Sequence, residues 1–379
     1  MTGQAIYKLA MSPCAWLSVA SRRQNGPGAA NVILVSLLCV LLGACASVPR
    51  TMHIEPIADG AAVWPSPPDP PRYRFVGQLT GEENFRTADD ERENVAGKIL
   101  RWVVGLAGRV QDPNILLRPQ AGYVDAMGRV YVTDVSRPCL CVFDNVGGKF
   151  QSYQLATTQS AFQSPIAVTA GADNTLLVTD SKLGLVAVLQ PDGMPLAPIG
   201  AGKLERPTGI ARDPQSKRIF VADTAANQIK VFSDDGTLLT AFGQHGEQPG
   251  QFNSPTFLAV NNGSLYVADT LNSRIQILDF DGKVKRVFGE RGLFVGDMPR
   301  PKGVAVDGAG LVYVVETYYD HLLVFNENGQ FLLPIGGTGY GAGQFYLPSG
   351  VWVDNNKRVY VADMMNGRIA IFEYIGDGV

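Results

Sequence analysis

The feature that most constrains this chain is a short motif, Val-x-Asp/Glu at the end of a β-rich run, which returns at Asp134, Asp180, Asp223, Asp269, Glu316 and Asp363. The intervals are 46, 43, 46, 47 and 47 residues. A period of this size means stacked copies of one supersecondary unit rather than one large sheet. Each copy opens on a proline, at Pro119, Pro165, Pro207, Pro255, Pro301 and Pro348. The first five also carry a hairpin signal, Gly147-Gly148, Asp192-Gly193, Asp235-Gly236, Asp281-Gly282 and Asn328-Gly329. The copy at 255–289 is the most regular, with four short apolar runs set apart by turn residues. Four-stranded units at this spacing stack radially, so the expected fold is all-β, a six-bladed β-propeller. Burial of each blade on both faces explains continuous apolar runs such as 303–306 and 312–315, where a half-solvated strand would alternate.

The sixth copy stops too soon for a fourth strand. The missing piece is expected at the other end, where Phe75-Val76-Gly77-Gln78 matches Ala241-Phe242-Gly243-Gln244. An N-terminal strand that completes the last blade removes an open edge, and the propeller is read as residues 72–379. Residues from about 86 to 118 have no counterpart in other blades. Thr87 and Asp90 look like a capping pair, and Ile99, Trp102, Val103 and Leu106 fall at helical spacing, so a helical insertion is expected there. It either covers the channel mouth or packs its stripe on the blade beneath.

Upstream, Arg22 and Arg23 precede an apolar run over 32–42 that ends in Leu42-Gly43-Ala44-Cys45. This resembles a bacterial lipoprotein signal, residues 1–44, and the resemblance implies acylation of Cys45. Ala46 after the cysteine is similar to an outer-membrane address, so the implied place is the cell envelope, lipid-anchored and facing the periplasm. Residues 45–71, with Pro65, Pro67, Pro68, Pro70 and Pro71, read as an extended tether outside any ladder, with His53 solvated. Cys139 and Cys141 then remain, at i and i+2 on one strand face, expected as free packed thiols with poor geometry for a mutual disulfide.

The repeat wording is specific. VADTLNSRIQIL, VADTAANQIKVF and VADMMNGRIAIF, each near a DG turn and FG, resemble the NHL repeat, and the chain is similar to bacterial NHL-repeat lipoproteins. The first two copies, TDVSRPCLCVF and TDSKLGLVAVL, lack the Asn and the Arg-Ile pair. Propellers with this repeat include enzymes, RNA binders and protein platforms, so function is argued from the site. The balance of 32 basic against 35 acidic residues opposes a nucleic-acid footprint.

Metal catalysis, as in amidating lyases, lactonases or strictosidine-synthase-like propellers, needs carboxylates or histidines converging from the inner strands. The residues after the opening prolines are Gln120, Ile166, Thr208, Thr256, Lys302 and Ser349, and no catalytic residue, metal or cofactor is assigned. The expected function is a scaffold or binding propeller for an envelope protein or complex, with the propeller enzymes as the alternative. The loops after each Val-x-Asp/Glu supply the candidate surface, Arg137, Asn272, Tyr318, Tyr319, His321, Met364 and Met365. Arginine also precedes the opening proline in alternate blades, at Arg118, Arg206 and Arg300. These either form a cationic ring or pair with the motif carboxylates.

Overall fold

The computed structural model describes residues 50–56, 62–87 and 114–376. The expected signal, Cys45 and the apolar positions of the expected helix lie outside these residues. Among the described residues no helix is long and apolar enough to cross a membrane.

Six antiparallel sheets stand side by side, and their inner strands, Pro119–Val124, Pro165–Ala170, Pro207–Asp213, Pro255–Asn261, Pro301–Val306 and Pro348–Val353, contact one another in a closed cycle. That cycle is the propeller axis. Blades one, three, four and five are four-stranded. Blade two pairs as three strands, and its outer edge is reduced to isolated bridges, Val186 with Ile199 and Leu189 with Pro195. The reason is local: Pro191, Pro195 and Pro198 fall in that edge, and a residue without an N–H cannot sustain a ladder.

Blade six closes as the sequence implies. Tyr73–Leu79 pairs antiparallel with Arg368–Tyr374, setting Leu79 opposite Ile369 and Tyr73 opposite Tyr374. The closure is packed as well as hydrogen-bonded. Phe372 is fully buried, and the rings of Trp64, Phe75 and Phe345 lie 5.5, 5.5 and 5.8 Å from it.

Two expectations are corrected. The segment expected to stay out of any ladder contributes strands at both ends. Arg50–Met52 pairs with Phe85–Thr87, and Val63–Trp64 adds a fifth strand to blade six through Tyr73 and Arg74. The exposed edge of the closing strand is the driving force, since unpaired backbone groups there find partners in the nearest available chain. His53 is accordingly half-buried, its backbone N–H donating to Asn84 O at 2.7 Å. The helical insertion is likewise unsupported at its described flanks. Residues 85–87 are strand and Ile115 forms a bridge with Gly81, while residues 88–113 lie outside the described part.

The close ring of inner strands depends on the Pro-x-Gly openings. A Cβ on Gly209 would stand 2.3 Å from Thr256 O, and one on Gly350 would stand 2.5 Å from Gln120 O, both backbone atoms of the next blade. Glycine is required by approach here, not by dihedral angle.

Candidate functional site

Each second strand ends at the rim where the next turn and the interblade connection meet, and the motif carboxylate ties the two together. Asp134 Oδ1 accepts the N–H groups of Ser136 and Arg137, while its Oδ2 accepts those of Leu117 and Arg118. Asp180 repeats this with Lys182, Leu183, Gln163 and Ser164. Glu316 takes the N–H groups of Tyr318, Tyr319 and Arg300. All six acids are buried, so the turn-capping role expected of Asp at a strand end is what the fold uses.

The alternate arginines are resolved by the same bonds. Arg118, Arg206 and Arg300 meet Asp134, Asp223 and Glu316 through backbone N–H, not through guanidinium. The pairing of their side chains with the motif acids is therefore corrected. All three residues are exposed. The cations that do neutralise motif acids come from the third strands: Lys230 Nζ on Asp223 at 2.7 Å, Arg274 Nε on Asp269 at 2.8 Å and Arg368 Nε on Asp363 at 2.7 Å.

The candidate loop residues separate into two groups. Tyr318 is 65% exposed and packs edge-on against the half-buried Tyr319 at 4.9 Å; Met365 is 44% exposed. Met364 is buried, which removes it from any binding surface. Asn272 is committed to the fold, its Nδ2 donating to Gly246 O and Asp269 Oδ2. Arg137 is half-buried and donates to Asn114 Oδ1 at 3.3 Å. His321 is half-buried at the start of a third strand and lines a small cavity of about 110 Å³ with Tyr319, Glu316, Leu293, Phe294 and Val295.

Sequence reasoning missed the three residues that dominate this rim. Leu293, Phe294 and Val295, in the connection between blades four and five, are 84, 81 and 61% exposed. Leu271, Tyr340, Tyr346 and Leu347 extend the exposed apolar character across the connections and turns of blades four to six. The signal was present as an apolar triplet inside a connection, but a triplet in a loop reads equally well as a plug. Only its exposure tells them apart.

At the axis, the residues that follow the opening prolines form a polar belt. Thr208 Oγ1 donates to Thr256 O at 2.9 Å, and Thr256 Oγ1 donates to Lys302 O at 3.0 Å. Lys302 Nζ donates to Gln120 Oε1 at 3.4 Å, and Ser349 Oγ donates to the same oxygen at 3.2 Å. Protein surrounds Lys302, yet the residue keeps partial solvent access. Burial pushes its ammonium down to about 8, and the charges of Arg118 and Arg300 push the same way. A lysine at this position is the wrong donor for a divalent cation, and among the described residues no three His, Cys, Asp or Glu side chains converge. Cys139 and Cys141 are free, buried, and hydrogen-bonded Sγ to Sγ at 2.8 Å.

A family model described as a 6-bladed beta-propeller matches residues 304–376, and an NHL-repeat model matches residues 252–278. No curated protein matches the chain. Among solved structures, a virginiamycin B lyase from Staphylococcus aureus is 16% identical over 68% of this chain and 95% of that one, with a TM-score of 0.51. A gluconolactonase from Xanthomonas campestris is 17% identical over 86% of this chain and 99% of that one, TM-score 0.51. A chain of a nidogen/laminin complex is 19% identical over 67% of this chain and 90% of that one, TM-score 0.51. At these identities the likeness establishes the fold, and the repeat matches place NHL-type blades within it.

Proposed function

We propose that this protein is a binding propeller of the bacterial cell envelope, tethered through an acylated Cys45, which docks a partner protein on the rim of blades four to six. The observation that carries the reading is the exposure of Leu293, Phe294 and Val295 beside Tyr318 on a rigid scaffold. Large apolar side chains held in water at one end of a packed domain lose free energy that a partner surface recovers, at about 25 cal/mol per Å² buried. Arg118, Arg206 and Arg300, whose side chains meet no carboxylate among the described residues, add positive charge to the same rim, so the fitting partner presents an apolar patch bordered by carboxylates. The similar chain from the nidogen/laminin complex offers a precedent for this fold within a protein complex.

The test is site-specific photo-crosslinking in the native envelope from Phe294 and Tyr318, with Asn262 on the opposite end as control. One discrete adduct from both rim positions and none from Asn262 supports the reading. Equal labelling from both ends, or turnover of a small molecule with no adduct, rejects it. The anchor is tested separately: Cys45→Ser should abolish incorporation of labelled fatty acid and release the protein from membranes.

A further inference from the structure

We propose that the rim end of the propeller axis is a binding site for a small oxyanion, a carboxylate or phosphate, held by Lys302 with Arg118 and Arg300 around the mouth. This goes beyond docking of a protein: it stands on Lys302 in the axis, and shares only Arg118 and Arg300 with the rim. Lys302 is carried into the axis by the inner strand of blade five, one residue after Pro301, where the other blades place Gln120, Thr208, Thr256, Ser349 or Ile166.

A positive charge is left over at this position. A buried ammonium is ordinarily paired with a carboxylate, because an isolated charge inside protein is costly. The half-buried Lys230 and Arg274 and the buried Arg368 obey that rule, each within 2.8 Å of a motif carboxylate. Lys302 does not. Among the described residues its one side-chain partner is the amide oxygen of Gln120, at 3.4 Å, a long and neutral contact. The charges that bear on it are Arg118 and Arg300, both of the same sign. The nearest motif acid in its own blade, Glu316, is occupied by three backbone N–H groups and turned into the rim.

Arg118 and Arg300 stand two residues before Gln120 and Lys302, which meet in the axis, and among the described residues no anion pairs with Lys302, which keeps an opening to solvent. An oxyanion there would accept from Nζ directly and from the guanidinium groups at the mouth, where charge-assisted bonds are strong. The hydroxyl of Ser349, which donates to the same Gln120 Oε1 as Nζ, lies beside it as an additional neutral donor. Lys302 and its partner Gln120 belong to blades five and one, so the site is an off-centre cluster of those two blades instead of the three-fold ring the sequence suggests.

The experiment is calorimetric titration of the full purified chain with inorganic phosphate and, separately, with citrate, at low ionic strength and pH 7. Saturable binding at one site, with Kd below about 1 mM, is expected for at least one of them. Lys302→Met should weaken it at least about ten-fold, and Arg118→Gln with Arg300→Gln should weaken it by a similar factor. Circular dichroism and the rim crosslinks of Phe294 report separately on folding and on partner docking. Preference for phosphate over citrate, or the reverse, identifies the oxyanion class. Absence of saturable binding of both probes overturns the site, as does binding that survives Lys302→Met in a folded protein.

Discussion

Arg368 Nε donates to Asp363 Oδ2 at 2.7 Å, and both side chains are buried where blade six meets the chain that closes it. The guanidinium does more than neutralise the acid. It donates also to Gln78 Oε1 of the closing strand and to the carbonyls of Tyr340, Gly341 and Gln344 in the preceding connection. Arg274 makes the same kind of clamp in blade four, on Asp269, Glu247 O, Gln248 O and Gln251 O. The Arg of the repeat wording is thus a fastener between consecutive blades. Blades one, two, three and five lack it, and Cys139, Leu185, Gln228 and His321 open their third strands instead.

Removing that fastener leaves a buried carboxylate without its counter-charge, held among the described residues only by Tyr346 N–H and Asn366 Nδ2, and several carbonyls without their guanidinium donor. Arg368→Met is expected to cost about 3–5 kcal/mol, the range for breaking one side of a buried pair. Denaturant unfolding measures it, and a loss below about 1 kcal/mol would show that the clamp is dispensable.

The Pro-x-Gly opening sets the distance between inner strands. Gly209→Ala places a Cβ against Thr256 O, which is backbone and cannot rotate away, so a destabilisation of about 1–3 kcal/mol is expected. Gly202→Ala is a control for space alone, since nothing stands within 4 Å of its Cβ, although its φ of +72° carries its own strain. Thermal melting of the two variants compares crowding with strain; equal melting of Gly209→Ala and the parent would remove the packing argument.

Phe372 anchors the closure. Its truncation to alanine leaves a cavity among Trp64, Phe75 and Phe345 and is expected to cost about 3–5 kcal/mol. Because the cavity lies between the two chain termini, hydrogen exchange should rise first in residues 73–79 and 368–374. Uniform acceleration over all six blades would instead mean that closure and ring unfold as one unit.

Lys302 makes stability depend on pH in a definite direction. Its folded value, about 8, lies below the ordinary 10.5, so the unfolded chain binds more protons between those limits. Stability therefore rises with pH across that window, and the penalty is fully present below it. Lys302→Met should raise the melting temperature at pH 7 and flatten the difference from the parent above about pH 10. A parent that melts no lower than Lys302→Met at pH 7 contradicts this. Saturating oxyanion should shrink the gap at pH 7, because it supplies the missing counter-charge.

Much of this fold is legible in the chain because propeller blades repeat their instructions locally. The proline, the carboxylate and the turn glycine recur at matching places, so the blade count, the strand order and the N-terminal closure follow from spacing alone. The role of the motif acids was legible for the same reason, since a strand-end Asp has backbone N–H groups within reach whatever lies beyond. What surrounds the repeats was not. The Arg50–Met52 and Val63–Trp64 strands form because distant edges are left open, and nothing in a proline-rich segment announces which edge it will meet.

The candidate site divides along the same line. Sequence by itself determined that Tyr318 and Met365 sit on rim turns and that Arg118, Arg206 and Arg300 stand at the blade openings, because those positions are fixed by a local period. Only the tertiary structure decided that Met364 turns inward, that the arginines bind the acids by backbone, and that Leu293, Phe294 and Val295 remain in water. It alone left Lys302 without a carboxylate among the described residues, since burial and charge pairing are sums over neighbours brought together from remote parts of the chain.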